Sequence, residues 1–175
     1  KIPMEEVAFH LTLDAGVLTL NPVSFVLPQG RFDGDVRVDA RPDIPVTDID
    51  FKITGVQLAQ FKPKDAPTAP VDGSLIGRVK LKGSGNSVAQ LVAGADGTVT
   101  AIVPDAEIRE AFAELTGINV ARGLGLLLSK DQTQVRVRCG VADFQLRDGK
   151  LTARNLVFDT ENVLITGTGE LDLAQ

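Results

Sequence analysis

Between Val17 and Ile53 the hydrophobic positions recur mainly at two-residue intervals: Leu18 and Leu20, then Val23, Phe25 and Leu27, then Phe32, Val36 and Val38, then Ile49, Phe51 and Ile53. A period of two sends successive side chains to opposite faces, which predicts half-buried β-strands. From Arg31 to Asp39 the intervening positions are Arg31, Asp33, Asp35, Arg37 and Asp39, a solvated face of mixed sign suited to ion pairing within a sheet. Turn signals separate the runs at Asp14-Ala15-Gly16, Pro28-Gln29-Gly30 and Arg41-Pro42-Asp43. Tight hairpins and an antiparallel meander follow, with a short helical turn over Val56 to Phe61.

Lys62 to Asp72 carries three prolines and reads as a long exposed loop within one domain. Alternation resumes over Gly73 to Gly85, with Leu75, Val79 and Leu81 opposite Ser74, Arg78, Lys80 and Lys82. Ser87 and Gln90 have the spacing of a capping box at the start of a short helix. From Asp105 the spacing changes to threes and fours, with Ile108, Ala111, Phe112, Leu115 and Ile118 on one stripe and Glu107 and Glu110 near the start. This predicts an amphipathic helical region over residues 105–128, interrupted near Gly117, Gly123 and Gly125. Beyond it Val135, Val137, Cys139 and Val141 share a face, whereas Phe144 and Leu146 fall out of step, so a bulge is expected near Ala142 and Asp143.

The final stretch repeats the first. Moved 133 positions along the chain, Gly16 falls on Gly149, Leu18 on Leu151, Val23 on Leu156 and Phe25 on Phe158. The match runs on without a gap: Phe32 falls on Ile165, Gly34 on Gly167, Val38 on Leu171 and Asp39 on Asp172. Hairpins adding side by side to one growing sheet produce such a repeat.

Composition removes several classes of function. The net charge is -5, from 18 basic and 23 acidic residues that are interspersed, and there is neither Trp nor Tyr to stack on bases. Nucleic acid is therefore not an expected partner. The single cysteine, Cys139, forms no internal disulfide. No apolar run approaches the roughly 20 residues of a membrane-spanning helix. A start at Lys1, with no signal-like stretch, suggests a mature fragment whose targeting region lies elsewhere.

Candidate chemistry is sparse, and the chain is expected not to be an enzyme. Cys139 alternates with valines, as a buried inert thiol does. His10, the only histidine, would need a distant partner to form a catalytic dyad or a zinc site. Gly83 to Ser87 lacks the Gly-Lys-Ser/Thr ending of a phosphate loop and reads as a turn and a cap. Asp33-Gly-Asp35 is too short for a calcium loop, and Asp48 and Asp50 share the outward face of a strand. No cofactor and no metal are expected.

Three blocks together carry a family resemblance: GVLTLNPVSFVLPQGRFDGDVRVDAR, PVDGSLIGRVKLKGSG with SVAQLVAGADGTV, and VRCGVADFQLRDGKLTARNLVFDTENVLITGTGELDL. In order and spacing the chain resembles the C-terminal part of AsmA-family proteins, which are related to TamB-type bridge-like lipid-transfer proteins. The resemblance implies one AsmA-like domain over residues 1–175, with the inner-membrane anchor and upstream periplasmic region lying outside it. The implied fold is an antiparallel curved sheet of roughly 9 to 12 strands, an elongated trough or flattened barrel. The implied setting is the periplasm, and the implied role is holding or conducting phospholipid on an apolar β-groove between the inner and outer membranes. Leu18, Phe25, Phe32, Val36, Phe51, Val79, Val137, Phe158, Ile165 and Leu171 would then contact acyl chains. The alternative is a structural scaffold with a closed core that assists an outer-membrane assembly partner.

Overall fold

The computed structural model describes residues 4–62, 69, 71–109, 134–161 and 163–173. Most of them belong to one antiparallel sheet. Its strands are β1 (Glu6–Asp14), β2 (Val17–Val26), β3 (Arg31–Asp39), β4 (Val46–Gln57), β5 (Val71–Ser84), β6 (Asp96–Val103), β7 (Ala106–Arg109), β8 (Gln134–Arg147), β9 (Lys150–Thr160) and β10 (Leu164–Asp172). They pair in the order β1-β2-β3-β4-β5-β6-β8-β9-β10, with β7 between β5 and β8. β1 and β10 lie at opposite ends of that path, so among the described residues the sheet is open and does not close into a barrel.

The predicted hairpins form where the turn residues place them. The β1–β2 turn uses Ala15 and Gly16 at φ 42° and 80°, and the β8–β9 turn uses Asp148 and Gly149 at φ 48° and 72°. Two successive residues at positive φ match the right-handed strand twist of a two-residue hairpin. A 3-10 turn, Leu58–Phe61, occupies most of the expected helical turn. Ser87 caps the helix α1 (Val88–Ala93), its Oγ accepting from the Gln90 N–H at 3.2 Å, while Gln90 Oε1 accepts from the Asn86 N–H at 2.9 Å.

Three expectations need correction. Ala106–Arg109 is not the first turn of a helix but β7, paired with Val71–Gly73 of β5 and with Gln134–Val137 of β8. Tertiary pairing overrides the local helical spacing there; the remainder of the expected helix lies outside the described residues. Val71 and Asp72 belong to β5 rather than to the proline-rich loop, most of which also lies outside the described residues. The register shift on β8 falls at Arg138, between the pairs Val137–Thr160 and Cys139–Asp159, four positions before the expected site. Near Asp143 the extra residue is on β9, where Arg154 separates Asn155 from Ala153.

The 133-residue repeat is also a repeat of backbone structure. β2 and β3 pair Leu18 with Val38, Val23 with Gly34 and Phe25 with Phe32; β9 and β10 pair Leu151 with Leu171, Leu156 with Gly167 and Phe158 with Ile165. Both first strands carry an extra residue at the same place, between Leu20 and Val23 and between Ala153 and Leu156. Even the closing hydrogen bonds correspond, Ala40 N–H to Gly16 O at 2.9 Å and Leu173 N–H to Gly149 O at 3.0 Å.

Candidate functional site

The pairing registers assign every strand residue to a face, and one face is apolar from edge to edge. One row of cross-strand neighbours runs Phe9, Val23, Gly34, Phe51, Val79, Val99, Phe144, Ala153, Gly169 across nine strands. The row beside it runs from Leu11 to Leu171 through Leu20, Val36, Ile49, Leu81, Gly97, Leu146 and Leu151. Neither contains a polar side chain. Nine strands about 4.8 Å apart make each row roughly 38 Å long, measured along the sheet.

The bulges keep this face continuous. An extra residue flips side chains to the other face unless the strand absorbs it in a bulge. β2, β4, β8 and β9 each absorb one, near Asn21–Pro22, Thr54–Gly55, Arg138 and Arg154–Asn155 respectively. All ten residues named from the sequence, Leu18, Phe25, Phe32, Val36, Phe51, Val79, Val137, Phe158, Ile165 and Leu171, therefore lie on the same face. Phe25 and Phe51 meet there with ring centroids 6.1 Å apart. Val141 does not share this face: it pairs with Ile102 and Val157 in a short apolar row on the opposite side.

Among the described residues no second layer packs against the middle of this face. Only eight of the described hydrophobic residues are buried, and several of them cluster at the strand ends. Leu27 and Val56 lie at the end that carries the 3-10 turn, where Gln60 donates to Gln29 O at 2.8 Å. Ala95 and Leu146 lie at the other end, where Leu91 and Ala95 of the α1 segment pack over Gly83. Most of the remaining apolar face is half-buried, and on the β1 edge it is open, with Phe9 60% and Leu13 70% exposed.

The opposite face is charged and laced. Arg78 grips Asp50 with two hydrogen bonds at 2.8 and 2.9 Å, Lys80 reaches the same carboxylate at 3.2 Å, and Lys82 lies 3.5 Å from Asp48. Arg154 pairs with Asp143 at 2.8 Å and Arg138 with Asp159 at 2.7 Å. Hydrogen bonding from Arg78 holds the Asp50 carboxyl below the usual range, and Arg154 does the same to Asp143. Arg41 lowers Asp39 in the same way. Each carboxylate lowered in this way is hydrogen-bonded to a guanidinium, which favours its ionised form.

The other candidates stay apart or are internally satisfied. His10 is exposed on β1, and the half-buried Cys139 lies six strand steps away on β8. In the Gly83–Ser87 turn, the Gly85 N–H donates to Pro45 O at 3.0 Å and the Asn86 N–H to Gln90, so these amides serve the turn. Among the described residues no group of three His, Cys, Asp or Glu is placed to hold a metal ion. No helix among them is long and apolar enough to cross a membrane.

The family resemblance implied an antiparallel sheet forming a trough or a flattened barrel; the described strands form such a sheet, and their order is not that of a barrel. The sequence profile of the AsmA family matches residues 1–156, and the chain belongs to that family. It is 26% identical over 174 residues to the AsmA family protein YhjG of Escherichia coli (strain K12). That alignment covers 99% of this chain and 25% of the relative, so the chain spans about a quarter of the relative's length. No solved structure matches it. Membership in the family supports a function related to the bacterial envelope.

Proposed function

We propose that this chain is a non-enzymatic periplasmic module that holds or conducts phospholipid acyl chains on its apolar face, between the inner and outer membranes. One observation carries the reading: nine paired strands present an uninterrupted apolar surface that no described element covers at its middle. Monomeric soluble domains rarely leave a large contiguous apolar patch open unless it binds something. The scaffold reading called for a closed core, and eight buried hydrophobic residues among those described are few for one.

The energetics suit a conduit. Covering an acyl chain gains about 0.8 kcal/mol per CH₂, on the order of 10 kcal/mol for a whole tail, and a bilayer offers the same gain. A surface that merely matches the membrane lets a tail pass between them at little net cost. Plain Val, Leu, Ile, Phe, Ala and Gly side chains provide that match without a specific pocket or a reactive group.

Native mass spectrometry with lipid extraction, on the chain expressed into the periplasm, tests this directly. Co-purifying phospholipid is expected, and it should be lost from the Phe25→Asp, Phe158→Asp double variant while far-UV circular dichroism stays unchanged. A lipid-free mass for the unsubstituted chain contradicts the proposal.

A further inference from the structure

The internal repeat exposes a missing neighbour. β3 is flanked by β2 on one edge and β4 on the other, whereas its repeat equivalent β10 pairs with β9 alone among the described residues. On the occupied edge Gly34 is a necessity: a Cβ there would lie 2.0 Å from Asp50 O and 2.8 Å from the Phe51 ring. Phe51 of β4 uses that space, lying beside Phe25. The equivalent glycine has no such reason. A Cβ at Gly167 would meet only Leu156, at 3.7 and 3.8 Å, and one at Gly169 would meet nothing within 4 Å. Glycine weakens a strand and commonly marks where another chain segment approaches closely. Two such positions on an edge strand that also lacks Lys and Pro, the usual guards against pairing, describe an edge built to receive a strand.

We propose that the β10 edge binds an antiparallel strand of a partner polypeptide, which sets an aromatic side chain over Gly167 beside Phe158, as β4 sets Phe51 over Gly34 beside Phe25. Charge narrows the partner further. Arg37 of β3 faces Asp48 of β4, but the position equivalent to Arg37 on β10 is Glu170. The incoming strand therefore carries Lys or Arg there, on the charged face, with apolar residues at the alternate positions that continue the apolar face. Docking extends the sheet by one strand and the apolar face with it, whether or not that face carries lipid.

A synthetic peptide covering β4, residues 45–57 with the Asp48→Lys change, is the probe, added to the intact chain and followed by amide hydrogen exchange. The account predicts saturable binding that protects amides of Leu164–Asp172. Binding should be up to about 5-fold tighter than with the unmodified β4 peptide and weakened by Phe51→Ala in the peptide. Gly167→Val in the protein has room to fold and should abolish binding without lowering the melting temperature. No saturable binding, protection confined to other strands, or unchanged affinity with Gly167→Val or with the Phe51→Ala peptide overturns the proposal.

Discussion

A single glycine shows how far one residue's surroundings decide its cost. Gly34 and Gly169 both lie on the apolar face, yet only Gly34 has backbone and a ring against the space a Cβ would fill. Gly34→Ala should therefore destabilise by about 1–3 kcal/mol through overpacking, and Gly169→Ala should stay within about 0.5 kcal/mol of the parent; urea midpoints check both. The ion pairs make a second residue-scale prediction. Asp50 and Asp143 are held below the ordinary carboxylate range by their arginines, so their pairing contributes stability that is complete above roughly pH 4, the unfolded-state value. That contribution is lost as pH falls through the lower folded-state values. Melting temperature should be flat from neutral pH to about pH 5 and decline between about pH 4 and 2. Asp50→Asn should shrink the acid decline and leave the alkaline side unaltered; an undiminished acid decline in that variant contradicts the assignment.

Among elements, the two repeat hairpins have the same turn in different settings. A Cβ at Gly16 would meet the flexible Arg41 side chain at 3.1 Å, whereas one at Gly149 would lie 1.9 Å from the carbonyl oxygen of Ala93 in α1. Both glycines have positive φ, so Gly16→Ala should cost about 1–2 kcal/mol from backbone strain alone. Gly149→Ala should cost at least about 1 kcal/mol more, because α1 has to move. Equal urea midpoints for the two variants would show that α1 is not held against the turn. The strands, turns and repeat were legible because their signals are local: two-residue alternation, turn residues at fixed offsets, and a capping box. Strand β7 was not, since Ile108 has helical spacing to its sequence neighbours and only pairing with Val71 and Val135 makes it a strand. The β8 bulge was misplaced for a related reason. Val141 resembles its neighbours in hydrophobicity, and its true face depends on the Arg138 bulge, visible only through pairing with β9. Strand β6 has a weak signal in the sequence because Gly97 and Ala101 dilute its apolar side, although β5 and β8 supply the rows it completes.

Across the whole molecule, the ten residues read as one oily face do fall on one face, because four bulged strands hold the register over the sheet. Whether that face belonged to a barrel or to an unclosed sheet could not be read from alternation, which is identical in both; the strand order of the described residues excludes the barrel. An acyl-chain surface requires that the two sides of a single strand touch different things. A photo-crosslinking amino acid placed in turn along β5 in the periplasm, followed by lipid analysis of the adducts, measures this directly. Phospholipid adducts are predicted at Leu75, Val79 and Leu81 and not at Arg78, Lys80 or Lys82. Adducts on both sides alike, or on neither, would contradict an acyl-chain surface on this sheet.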